Sequence, residues 1–186
     1  MRFSAYFAMA CALQIHAFGI DAPEQSSKVG AVAIANALDR YYADHNRLPG
    51  RAGPDAQTET SHGSPLVKVL MGKEGPDSPR QNPRNKNYLE GVPPAKPGLP
   101  GLPILPGRSE KWVGGVVMDG TACSMVDPWG NYYQVKLDSN FDGKLANPAP
   151  PAHAAGRSEL SGRAVVWSAG KDGTLETWGD NVKSWD

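Results

Sequence analysis

The stretch that decides the fold lies late in the chain, where Asp127-Pro-Trp-Gly-Asn-Tyr-Tyr-Gln-Val-Lys-Leu137 runs into Asp138-Ser-Asn-Phe-Asp-Gly143. Tyr133, Val135 and Leu137 occupy alternate positions, and this period of two is typical of a half-buried strand. A Pro-Trp-Gly turn precedes the strand, and an aspartate-rich turn ending in glycine follows it. The segment therefore predicts a short strand between two tight turns.

Other elements follow from the same kind of pattern. Valine-rich residues 112–118 and 163–168 predict two more strands. Apolar residues recur at three- and four-residue spacing over residues 27–45, which predicts an amphipathic helix that ends before Leu48-Pro49. A second, shorter helix is expected from Ser64-Pro65 through Met71. A long helix followed by short strands with long connections predicts an α+β fold, the helix packed on a small antiparallel sheet.

Composition limits the class of protein. The chain has 186 residues with 19 Lys plus Arg against 19 Asp plus Glu, so it carries no basic field for nucleic acid. Its 21 glycines and 17 prolines predict long irregular loops in a single domain. The four histidines lack metal or catalytic spacing, and no Gly-x-Ser-x-Gly elbow or phosphate loop occurs. Cys123 is expected to be an unpaired buried thiol, and we expect no enzyme activity.

The N-terminus is apolar over residues 3–20, broken by Ser4, Gln14 and His16 and preceded by one arginine. Residues 1–22 therefore predict a signal peptide or a membrane anchor, because eighteen helical residues span about 27 Å. A lipoprotein signal ending at Cys11 is a further alternative. Each of these interpretations implies export and leaves residues 23–186 as the folded domain.

Proline recurs at every third position from Pro94 to Pro106. Since polyproline II has three residues per turn, residues 91–107 predict an extended strap with its prolines along one edge. The strap could be structural or could dock into an aromatic groove of a partner.

Asp138, Asn140, Asp142 and Gly143 match the first, third, fifth and sixth positions of an EF-hand loop. Ala149 stands where the closing glutamate would be. The segment thus predicts either a weak calcium site or a solvated hairpin turn.

Four segments, in order, resemble one family: Ala37-Leu-Asp-Arg-Tyr-Tyr-Ala-Asp-His-Asn-Arg-Leu-Pro49, Asp127-Pro-Trp-Gly-Asn131, Ser168-Ala-Gly-Lys-Asp-Gly173 and Asp180-Asn-Val-Lys-Ser-Trp185. Together they are similar to the major pseudopilin of type II secretion systems and cover roughly half of the chain. The resemblance implies a pilin-like fold, with residues 112–186 forming the sheet and a C-terminal calcium loop. It also implies polymerisation into a periplasmic pseudopilus.

The resemblance implies a ligand set for this calcium ion. Asp172 and Asp180 match acidic positions of the family, Asn181 offers an amide oxygen, and Glu176 could add charge. Backbone carbonyls around residues 168–170 would complete the shell. The alternative is that Asp172-Gly173 is only a turn and Asp180 only a helix cap.

The expected function is a structural subunit of a type II secretion or pilus-type assembly that aids protein export. Its partners would be other pseudopilins, secretion components or further copies of itself, with membrane contact through residues 3–20 if the leader is retained. The expected location is periplasmic or inner-membrane anchored facing the periplasm, or secreted. The alternative is a soluble periplasmic or secreted pilin-head binding module that does not polymerise.

Overall fold

The computed structural model describes residues 22–50, 52–75, 80–98 and 112–185. The predicted leader, apart from Ala22, lies outside the described residues. So do Pro100, Pro103 and Pro106 of the predicted strap.

Two α-helices form as the sequence predicts. Helix α1 is Ala22–His45, and its start at Ala22 corrects the predicted start at residue 27. The helix can include Pro23 because N–H groups in the first turn have no acceptor within the helix, so the missing N–H of proline is not a loss there. Helix α2 is Pro65–Met71; the Ser64 side chain accepts a hydrogen bond from Val67 N at its start, and Gly72 ends it in the left-handed conformation. No helix within the described ranges combines the length and hydropathy that a membrane crossing requires.

Within the described ranges the strands form one larger and three smaller antiparallel sheets, so the α+β class is confirmed. The larger sheet has the order β1-β6-β9-β10, and the pairs β2-β3, β4-β5 and β7-β8 make the others. The strands are β1 (Ala56–Glu59), β2 (Lys96–Pro97), β3 (Trp112–Val113), β4 (Gly115–Asp119), β5 (Ala122–Val126), β6 (Gln134–Leu137), β7 (Lys144–Ala146), β8 (Glu159–Ser161), β9 (Ala164–Ser168) and β10 (Val182–Lys183).

Helix α1 covers one face of the four-stranded sheet. The predicted alternation is confirmed, since Tyr133, Val135 and Leu137 are all buried in this core. Val135 pairs with Val166 of β9 at the centre of the sheet. The core contains the buried apolar side chains of α1, α2 and this sheet face, among them Ala31, Ile34, Ala37, Leu38, Tyr41, Leu66, Val67, Leu70 and Val166.

A second, smaller core lies on the other face of the sheet. Val165 and Trp167 of β9 pack there with Leu145 and Leu160 of the β7-β8 hairpin. Three partly buried side chains of the C-terminal segment close it: Leu175, Trp178 and Trp185. Because both faces of β9 are covered, its sequence is nearly continuous in apolar residues rather than alternating.

The strand predicted at residues 112–118 is interrupted. Gly114 has a φ of +62° and separates β3 from β4, which pair with different partners. β3 pairs with β2 at the beginning of the proline-rich strap, and Ala95 N donates to Val116 O (2.8 Å). The described part of the strap is therefore attached to the β4-β5 hairpin.

Candidate metal-binding loop and its support

The Asp127-Pro-Trp-Gly-Asn131 segment forms a tight turn around a buried carboxylate. Asp127 is 0% exposed. Its Oδ1 accepts hydrogen bonds from Trp129 N (2.9 Å) and Asn131 N (2.8 Å). Burial raises the pKa of Asp127, while the hydrogen bonds from Ser168 and Asn131 act to lower it.

The other oxygen of this carboxylate reaches the end of β9. Asp127 Oδ2 accepts hydrogen bonds from Ser168 Oγ and from Asn131 Nδ2, the latter at 2.8 Å. Asn131 Nδ2 also donates to Gly170 O (2.6 Å), and Ser168 Oγ accepts from Gly170 N (3.1 Å). Both backbone groups of Gly170 are thus held by side chains of this network, which we call the Asp127 cluster: Asp127, Asn131 and Ser168. All three residues belong to segments that the sequence analysis quoted as motifs. That they form one hydrogen-bonded network is seen only in the fold.

The C-terminal loop crosses itself at Gly170. This glycine has a φ of +67°, and a β-carbon on it would lie 2.1 Å from Asp180 O and 3.1 Å from Asp180 Oδ2. Asp180 Oδ2 accepts a hydrogen bond from Asp172 N (3.0 Å). The structure therefore brings Asp172 and Asp180 together.

Asp172 also organises the turn that follows it. Its Oδ1 accepts from Thr174 N (2.8 Å), and its Oδ2 accepts from Thr177 Oγ1. These hydrogen bonds are typical of an aspartate-stabilised turn. A simple turn was the alternative interpretation of Asp172-Gly173.

Asn181 presents an acceptor without a partner. The residue is 6% exposed, and its Nδ2 donates to Leu175 O (2.8 Å). Its Oδ1 is buried and has no hydrogen-bond partner within the described part of the chain. An orphaned buried oxygen costs about 1–3 kcal/mol. A bound cation would remove that cost.

The oxygen donors fit a hard cation such as calcium better than a soft one. Asp172, Asp180 and Asn181 lie on one loop, with carbonyl oxygens of the same loop nearby, and they supply two carboxylates and one amide oxygen. Glu176 is exposed, and no hydrogen bond or ion pair among the described residues ties it to the other three. In the described ranges no three His, Cys, Asp or Glu side chains group closely enough to hold a metal. A cation at this loop would therefore depend on amide and carbonyl oxygens as well as on the two aspartates.

The second predicted loop is a turn built from its own side chains. Asp142 N donates to Asp138 Oδ1 (3.1 Å) and to Asn140 Oδ1 (2.9 Å), and Gly143 N donates to Asp138 Oδ2 (2.9 Å). Asp142 Oδ1 accepts from Lys144 N (2.8 Å). The loop amides thus occupy these acceptors. The predicted solvated hairpin turn is wrong, because β6 and β7 pair with other strands and not with each other, and Asp138 is 3% exposed. Calcium at this loop stays a prediction.

A polar cluster joins the end of α1 to Tyr88. Tyr88 Oη donates to Asp44 Oδ2 (2.8 Å), so His45 Nε2 must carry the hydrogen in its 3.0 Å contact with Tyr88 Oη. Lys86 Nζ also binds Asp44 Oδ2 (2.7 Å). Burial, followed by the hydrogen bond to Asp44, raises the pKa of Tyr88 to about 12. Tyr41 is fully buried beside this cluster.

A groove of about 660 Å³ runs between α1 and the β4-β5 hairpin. Val29 stands at its edge and is 63% exposed. The groove is built from three separate parts of the chain, so no local sequence pattern marks it. Its lining includes Ser26, Val29, Gly30, Ala33, Gly91, Val92, Pro93, Gly115, Val126 and Tyr133.

No family model, curated protein or solved structure matches the chain.

Proposed function

We propose that this chain is a non-catalytic, pilin-like structural subunit of a type II secretion or pilus-type assembly, with a calcium-stabilised C-terminal loop. The observation that carries the proposal is the C-terminal loop itself. The backbone N of Asp172 donates there to Asp180 Oδ2, and Asn181, next to Asp180 in the sequence, has a buried Oδ1 without a hydrogen-bond partner among the described residues. The loop follows an antiparallel sheet on which the first helix is laid.

The ligand chemistry supports calcium at this loop. Calcium binds about six to eight oxygens and accepts irregular mixtures of carboxylate, amide and carbonyl groups. Asp172 and Asp180 would supply charge, and Asn181 would supply its unpartnered oxygen. Glu176 belongs to the proposed set for its charge alone. Bound calcium would hold the two ends of the loop together.

The position of α1 supports assembly. The helix begins at Ala22, immediately after the apolar segment of residues 3–20. The exposed side of the helix carries Val29 at the groove edge. In this proposal the chain is exported, faces the periplasm, and contacts other pseudopilins, secretion components or further copies of itself.

The full-length chain should be expressed in a bacterial host, and its intact mass measured separately in membrane and soluble fractions. A photo-cross-linking residue at Val29 should be compared with one at Met118, which is exposed on the β4-β5 hairpin. Assembly predicts membrane-associated protein and a ladder of cross-linked copies from position 29. A processed, monomeric chain in the soluble fraction, without such a ladder, would contradict the subunit proposal.

The groove favours a second candidate function, a soluble pilin-head module that binds a ligand and does not polymerise. A concave, largely apolar site of several hundred cubic ångströms is typical of small-molecule or peptide binding. The soluble, monomeric outcome of the same fractionation experiment would support this candidate.

A further inference from the structure

We propose that the Asp127 cluster positions the C-terminal loop for calcium, so that Asp127, Asn131 and Ser168 set the metal affinity without touching the ion. The inference rests on the calcium loop of the proposed function. It names three positioning residues in addition to the candidate ligands.

The path of contacts is short and continuous. Asp127 Oδ2 accepts from Ser168 Oγ and Asn131 Nδ2. These two side chains hold Gly170 N (3.1 Å) and Gly170 O (2.6 Å), respectively. Gly170 in turn packs directly against the backbone of Asp180, where even a β-carbon has no room. The position of Asp180 is therefore fixed by the position of Gly170.

One end of this path, the Asp127 cluster, is buried, whereas the aspartates at the other end are not. The Asp127 cluster is buried beneath the loop, with Asp127 and Ser168 both 0% exposed. Asp172 is exposed, and Asp180 is only partly buried. A rigid buried network thus supports ligands that have little packing of their own. Residues that orient metal ligands in this way typically change affinity about 10- to 100-fold when they are replaced.

The network also explains why the loop would be ready to bind. Ordering a loop during association reduces affinity, whereas a loop already held in place avoids that cost. Removing the Ser168 hydroxyl would free Gly170 N and leave Asp127 Oδ2 with one donor fewer. Removing the Asn131 amide would free Gly170 O. Both changes would loosen the crossing of Gly170 and Asp180.

The test compares Ser168→Ala and Asn131→Ala with Ser64→Ala in the full chain. Ser64 is a matched control because its hydroxyl is also buried, donates to Glu59 O (2.8 Å) and accepts a backbone amide, but it lies at the start of α2. Calcium affinity should be measured by titration calorimetry. Hydrogen exchange at the amides of Asp172 and Thr174 should be measured in chelator.

We expect Ser168→Ala and Asn131→Ala to bind calcium about tenfold more weakly and to exchange these amides faster. Ser64→Ala should lose stability with neither effect, and Ser168→Thr should restore affinity because it keeps the hydroxyl. Unchanged affinity in both cluster variants would overturn the inference. If the wild-type chain bound no calcium, the calcium proposal would fail by itself. Exchange at Asp172 and Thr174 would then decide the positioning role, and unchanged rates would overturn it.

Discussion

The hydroxyl of Tyr133 occupies the space beside Gly30 of α1, 2.2 Å from where a β-carbon on that glycine would lie. The same hydroxyl donates a 3.1 Å hydrogen bond to Ser27 O. Tyr133 is fully buried, so its ring has little freedom to withdraw. Close packing of the helix on the sheet therefore depends on the absence of a side chain at residue 30.

Gly30→Ala should destabilise the protein by about 1–3 kcal/mol, since overpacking a well-filled core costs this much. The direction is opposite to helix propensity, which favours alanine over glycine by about 1 kcal/mol. Urea unfolding followed by circular dichroism measures the change. Val29→Ala, on the exposed neighbouring position, is the control and should change stability little. A Gly30→Ala protein as stable as the wild type would contradict the close approach of Tyr133.

Tyr88 should make the fold sensitive to alkali. Its pKa is raised from 10.0 to about 12, first by burial and then by its hydrogen bond to Asp44. The raised pKa means that the folded state favours neutral Tyr88, so this contribution is complete below pH 10.0 and is lost as the pH rises through about 12. We expect the wild-type stability to fall more steeply over this window than that of Tyr88→Phe.

The difference in stability between the wild type and Tyr88→Phe isolates the titration of Tyr88, because the other tyrosines titrate in both proteins. At neutral pH, Tyr88→Phe should be less stable by about 1 kcal/mol, since Asp44 and His45 lose a hydrogen-bond partner. Urea midpoints measured at stepped alkaline pH provide the comparison. Parallel pH profiles would contradict the assigned role of Tyr88.

The titration of Asp127 should change the stability of the fold in the acidic pH range. Burial raises its pKa above the ordinary value of 3.8, so the folded state favours the protonated acid. Its contribution to stability is complete below pH 3.8 and declines as the pH rises through the higher folded-state pKa. We expect the stability of the wild type relative to Asp127→Asn, measured by urea unfolding, to fall over this window as the pH rises. A difference independent of pH would contradict the raised pKa.

Local sequence patterns predicted the elements that have a regular apolar face or a clear helix start. The period of two over residues 132–137 predicted a strand, which forms over the shorter range Gln134–Leu137. Ser64-Pro65 predicted the start of a helix, and this start is confirmed. Strand β5 was missed although Asp119-Gly120, a dipeptide typical of hairpin turns, comes just before it. Ala122–Val126 is short and has a serine at its centre, so its apolar pattern is weak. β1 was missed because Ala56–Glu59 is mostly polar and shows no buried face, and its strand conformation depends on pairing with β6.

The sequence proposed the donors of the candidate site but not the residues that support them. Asp172 and Asp180 were chosen through the resemblance, and the structure places them in hydrogen-bond contact. The role of Ser168 could not be derived from sequence, because it depends on burial against Asp127 across the sheet. Glu176 was chosen for its charge alone, and charge does not determine where a loop side chain points.

The calcium proposal gives the most direct prediction for the C-terminal loop. At a free calcium concentration one hundred times the dissociation constant, binding should stabilise the fold by about 2.7 kcal/mol. Chelation should therefore lower the melting temperature by about 5–10 °C. Asp180→Ala should abolish this shift because it removes a charged donor next to Gly170 and Asn181. Asp142→Ala, in the second aspartate-rich turn, is the control and should retain the shift. A wild-type melting temperature indifferent to calcium would contradict the proposed site, and loss of the shift only in Asp142→Ala would move the ion to the second loop.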